Sequence, residues 1–315
     1  MSADTRIDPQ LHLMLEKLAQ LPAMHTLSPV ASRAQSLAMS KARPPSTLPI
    51  ASMTQRTIPG PAGDIPVRVY VPFEAGKAAP LLIYYHGGGH VFGSPQTHDS
   101  ATHNLCAGAD CVVVSVDYRK APEHKFPAAV EDAYAVLQWC ADNADELNID
   151  ASRIAVGGDS AGGNLAVVAA LMARDAGGPS LCFQLLVYPL TDYRCSSDSY
   201  RRYATGFGLL EEQTMLWFKD HYLRGDADAE DWRASPLLAS DLSGLPTTLV
   251  ITAECDVLHD EGEALVKGLA AAGNAVTHTD YAGMIHGFFP MGDAVDKSVA
   301  AQAEACAALR KAFSA

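Results

Sequence analysis

From about residue 54 the chain alternates short, apolar, β-rich runs with longer helical stretches, and no other feature constrains its fold as strongly. The strand candidates are 65–71, 81–85, 111–117, 154–158, 183–188, 248–252 and 276–281. Several are apolar without interruption, as strands buried on both faces are. The helical candidates between and after them are 127–146, 161–175, 261–272 and 294–313. Strands alternating with helices predict a mainly parallel sheet covered on both sides, an α/β class fold.

Two segments stand outside this alternation. In residues 8–21, Leu11, Leu15, Leu18 and Leu21 share one helical face, and Asp8-Pro9 reads as an N-cap followed by a first-turn proline. A Ser/Pro/Ala-rich stretch then runs to Arg43-Pro44-Pro45. The second segment, about 191–235, is polar and then helical around Glu211–Tyr222. It reads as an insertion after a strand. Together with about residues 1–50 it is expected to cap a single domain spanning 1–315.

Composition narrows the function classes. A formal net charge of -13 repels a polyanion such as nucleic acid and leaves a neutral small molecule unaffected. The seven cysteines, from Cys106 to Cys306, form no paired framework, which fits free thiols in a reducing compartment. Glu16 and Lys17 interrupt the apolar character of the N-terminus, so no signal peptide is read there. No apolar run reaches membrane-spanning length. A cytoplasmic location is the expectation.

Residues 154–166 read IAVGGDSAGGNLA. Gly158-Asp159-Ser160-Ala161-Gly162 is a G-x-S-x-G motif between an apolar strand and a small-residue helix. That context turns the chain sharply and raises a serine hydroxyl above the sheet edge. Earlier, the apolar run 81–85 leads straight into His86-Gly87-Gly88-Gly89. Three glycines let backbone N–H groups approach a ligand closely. Gly88, Gly89 and Ala161 are the expected oxyanion donors. His86, His90, His98 and His103 cluster in sequence, but their spacing matches no standard zinc pattern, so no metal is expected.

A serine hydroxyl needs an imidazole base to act as a nucleophile at neutral pH. On the α/β-hydrolase fold the acid and then the histidine follow the serine in the chain. Of His221, His259, His278 and His286, only His286 stands in a loop directly after the last strand. Asp256 lies just past the run 248–252 and is the expected orienting acid. Asp260 is the runner-up, with an N-cap role expected for the helix beginning at Glu261. Glu254 is third.

These residues carry a family resemblance. His86–Gly89, Gly158–Gly163, the stretch Asp256–Gly262 (DVLHDEG) and His286-Gly287-Phe288 resemble the motifs of hormone-sensitive-lipase-like α/β-hydrolases, the bacterial family IV carboxylesterases. Asp117–His124 (DYRKAPEH), Phe126–Ala129 and Ser235-Pro236-Leu237 match further. The likeness runs from about residue 55 to the C-terminus. It implies an eight-stranded sheet, a helical cap, hydrolysis of short- to medium-chain acyl esters, no cofactor and a homodimer. His90 stands where the family commonly has a large aromatic residue, and is read as a substrate-pocket residue. Lys120 replaces a usual leucine and Cys255 a usual tyrosine. The triad residues alone leave open an amide hydrolase such as an arylformamidase. They also leave open a small-molecule receptor on the same fold, since fold does not decide function.

Overall fold

The computed structural model describes residues 6–73, 76 and 78–315. Residues 1–5 of the expected N-terminal cap segment lie outside the described residues.

Eight strands among the described residues form one sheet. They are β1 Ile50–Gly60, β2 Gly63–Pro72, β3 Ala79–Tyr85, β4 Val112–Val116, β5 Ile149–Asp159, β6 Phe183–Val187, β7 Thr247–Cys255 and β8 Val276–Ile285. Their spatial order is β1-β2-β4-β3-β5-β6-β7-β8. The β1/β2 and β2/β4 pairs are antiparallel, and every later pair is parallel. The mainly parallel eight-stranded sheet is therefore as expected. Strands β4 and β6 are buried at every position, so both faces of the sheet are covered there.

Ten α-helices accompany the strands among the described residues. The N-terminal segment holds α1 His12–Leu18 and α2 Pro29–Lys41. The body holds α3 Asp99–Ala109, α4 Ala128–Asp142, α5 Ala144–Leu147 and α6 Ala161–Ala176. The insertion between β6 and β7 holds α7 Asp198–Arg202 and α8 Glu212–Tyr222. Last come α9 His259–Ala271 and α10 Asp296–Phe313. Helix α3 packs on α10 and α4 on α6.

Strand β1 and helices α2, α3 and α7 were not legible as such. Strand β1 is polar and exposed over most of its length, because it is an edge strand with one partner, and only Ile58 is buried. Helix α3 is built from small residues without a strong apolar stripe. Helix α2 falls in the Ser/Pro/Ala-rich stretch. Its start signal is nevertheless present: the Ser28 hydroxyl accepts from Ala31 N at 3.3 Å, and Pro29 takes the first helical position. Asp8 caps as expected, accepting from Gln10 N at 3.0 Å.

The N-terminal segment and the insertion touch each other. His25 Nδ1 lies 3.1 Å from the Thr214 hydroxyl on α8. The Arg6 guanidinium lies over the rings of Tyr203 and Phe207, at 5.4 and 5.2 Å.

Candidate active site

Ser160 follows β5, Asp256 follows β7 and His286 follows β8. These strands are parallel to their neighbours, so all three residues emerge at the carboxyl end of the sheet, where ligands of open α/β sheets bind. Ser160 sits at φ 57°, ψ −121°, a conformation that a non-glycine residue holds only under constraint. The constraint is visible: its amide donates to Val187 O at 2.9 Å, and its carbonyl accepts from Leu190 N at 3.1 Å. The turn is tight enough that a Cβ on Gly162 would fall 1.8 Å from Tyr85 O. Only glycine fits there.

The three side chains form one hydrogen-bonded line. His286 Nε2 is 2.9 Å from Ser160 Oγ, and His286 Nδ1 is 2.6 Å from Asp256 Oδ2. The second Asp256 oxygen accepts from Leu258 N at 2.9 Å, which fixes the carboxylate's rotation. Asp256 is 1% exposed, while Ser160 and His286 each keep 8%.

The glycine loop lies beside this line because β3 pairs with β5, with Tyr85 opposite Gly158. Asp159 joins the two. Its Oδ1 accepts from Gly87 N at 3.1 Å and from the Tyr84 hydroxyl at 2.8 Å, and its Oδ2 lies 3.2 Å from His98 Nε2. Burial acts to raise the Asp159 pKa, but the neighbouring His98 and Tyr84 hold it down to about 2. Among the described residues, the amides of Gly88, Gly89 and Ala161 find no backbone acceptor.

The remaining candidates lie elsewhere. Asp260 does not cap a helix at Glu261, since α9 already begins at His259. Its carboxylate instead accepts from Ser199 N at 2.8 Å and pairs with Arg202 and His259, tying α9 to α7. Glu254 accepts from Gly283 N at 2.7 Å. His221 meets Trp217 O, and His278 meets the Thr252 hydroxyl. The upstream histidines each take a different partner: His86 meets Gly87 O, His90 the Tyr193 hydroxyl, His98 Asp159 and His103 Leu48 O. No group of three or more His, Cys, Asp or Glu disposed to hold a metal occurs among the described residues. His90 is fully buried, and its ring stacks on Tyr222 at 4.0 Å. Burial pushes its pKa down to about 3, which keeps the ring neutral. Lys120 pairs with Asp117 and lies over the Tyr118 ring.

Two residues missed in the sequence anchor the insertion. Asn164 Nδ2 donates to Leu190 O at 3.0 Å and Ala234 O at 2.8 Å, so it stitches both ends of the insertion to α6. Glu261, which burial pushes well above the usual carboxylate range, accepts from Thr191 N at 2.6 Å. Asn164 lies in the motif around Ser160, and Glu261 in DVLHDEG. That placement was the available signal.

The alpha/beta hydrolase fold family matches residues 82–290, about two thirds of the chain. The chain belongs to the alpha/beta hydrolase family. The similarity to esterases extends well beyond residues 82–290. It is 44% identical over 314 residues to the carboxylic ester hydrolase LipN of Mycobacterium tuberculosis, covering 96% of this chain and 82% of that protein. It is 39% identical over 285 residues to an ethyl acetate hydrolase of Pseudomonas putida, covering 87% of each. Among solved structures, a thermostable esterase from Pseudomonas putida superposes with a TM-score of 0.95 at 38% identity, covering 99% of both chains. A hyperthermophilic esterase from Pyrobaculum calidifontis gives 0.93 at 41%, covering 99% of this α/β-hydrolase and 100% of that chain. No helix among the described residues is long and apolar enough to cross a membrane.

Proposed function

We propose that this α/β-hydrolase is a serine carboxylesterase acting on short- to medium-chain acyl esters. The observation that carries the reading is the unbroken line from Asp256 through His286 to Ser160, at 2.6 and 2.9 Å. Both contacts are within the reach that proton transfer needs. The names of its relatives, a carboxylic ester hydrolase and an ethyl acetate hydrolase, point to the same chemistry.

His286 takes the Ser160 proton as the hydroxyl oxygen attacks the ester carbonyl. The Gly88, Gly89 and Ala161 amides hold the negative charge that develops on the carbonyl oxygen. His286 returns the proton to the departing alcohol and leaves an acyl-serine. A water molecule, activated by the same imidazole, then releases the acid. Asp256 keeps the proton of neutral His286 on Nδ1 and stabilises the imidazolium that forms. The N-terminal segment to about residue 50 and the insertion, about 191–235, act as a cap that bounds the substrate pocket.

The test is a p-nitrophenyl acyl ester series beside a formyl anilide, on wild type and Ser160→Ala. The reading expects ester turnover that disappears in the variant. Preferred turnover of the anilide, or ligand binding without turnover, would replace it.

A further inference from the structure

The glycine loop is gripped from outside by the N-terminal segment. Arg33, on α2, donates from Nε to Val91 O at 2.8 Å and from a terminal nitrogen to Ala121 O at 2.7 Å. Val91 stands two residues after Gly89, and the Val91 and Phe92 amides both close a turn onto Gly88 O at 3.0 Å. Ala121 is bound to the same loop, since its amide donates to His90 O at 2.9 Å. One guanidinium therefore holds carbonyls on both sides of the His90–Ala121 hydrogen bond. The inner side of the loop is held by Asp159 on Gly87 N and by the Tyr118 hydroxyl on His86 O. The insertion closes over the top: the Phe218 ring lies where a Cβ on Gly89 would fall, at 2.2 Å.

We propose that Arg33 is a positioning residue for ester hydrolysis, holding the glycine loop so that the Gly88 and Gly89 amides face the developing oxyanion. The proposal rests on the reading of those amides given above. The competing view is a surface ion pair, because Arg33 also meets Glu123 at 2.8 and 2.6 Å. Glu123 is half exposed, and such pairs contribute little to stability. The forked geometry explains the residue better. The Glu123 contact orients the planar guanidinium while its other N–H groups reach two carbonyls, which the point charge of a lysine does not reproduce.

The experiment compares kcat, KM and melting temperature for wild type, Arg33→Ala and Arg33→Lys with p-nitrophenyl butyrate. One oxyanion donor is worth 10²–10³ in kcat elsewhere, so a displaced loop is expected to cost about 10- to 100-fold in kcat in both variants. KM stays within about threefold, because the contact acts in the transition state. Millimolar guanidinium restores part of the Arg33→Ala rate, and sodium chloride at matched ionic strength does not. If Arg33→Ala fails to fold, Arg33→Lys carries the comparison. An unchanged kcat, a change confined to KM or melting temperature, or a wild-type rate in Arg33→Lys overturns the proposal. In those cases wild-type ester hydrolysis stands and the function reading survives. An inactive wild type removes both.

Discussion

The Asp256 carboxylate meets His286 Nδ1 at 2.6 Å through one oxygen and the Leu258 amide at 2.9 Å through the other. Asp260, four residues on, turns away towards Ser199, Arg202 and His259. The two aspartates should therefore fail differently. Asp256→Asn keeps the fold and lowers kcat by roughly 10⁴-fold, the loss seen when a serine protease histidine is held in the wrong tautomer. Asp260→Asn loosens the contact between α9 and α7 and lowers the melting temperature by about 2–4 °C, with kcat nearly intact. Measuring kcat and melting temperature for both variants checks the assignment. A stable, inactive Asp260→Asn beside an active Asp256→Asn would reverse it.

His259 lies between two carboxylates, with Nε2 3.5 Å from Asp280 and Nδ1 3.1 Å from Asp260. Asp280 and then Asp260 outweigh partial burial and raise its pKa from the ordinary 6.5 to about 9. The folded state thus binds this proton more tightly than the unfolded chain does. The stabilisation is complete below pH 6.5 and is lost as pH rises through about 9. Thermal melts between pH 6 and 10 should show this decline, and His259→Gln should flatten it. An identical slope in the variant would assign the decline to other groups.

Strands β5 and β7 and the turns after them were legible because an apolar run followed by a glycine- or aspartate-bearing turn is a local pattern. Asp159 and Asn164 sit inside the Ser160 motif, yet their roles were not. Gly87 is 72 residues from Asp159, and Ala234 is 70 from Asn164. Arg33 is further removed from view. Its carbonyl partners are 58 and 88 residues away, and a carbonyl leaves no mark on residue identity. Asp260 was misread because a helix start offers an aspartate a local role, whereas its partners Ser199 and Arg202 belong to the insertion.

The proposed cap should restrict acyl length. Ser160 and His286 are each 8% exposed, and Phe218 closes over Gly89. Across a p-nitrophenyl series, kcat/KM should peak between acetyl and octanoyl and fall by about tenfold or more for longer chains that overfill the pocket. A long-chain triglyceride hydrolysed with higher kcat/KM than the short esters would mean that the cap does not bound the pocket.

Mass-spectrometric mapping of a serine-directed phosphonate tests the nucleophile most directly. One adduct per chain is expected, on Ser160, formed in proportion to the loss of ester hydrolysis. Ser160→Ala should take no label and lose kcat by about three or more orders of magnitude. Inactivation with the adduct on another residue, or substantial turnover by Ser160→Ala, would contradict it.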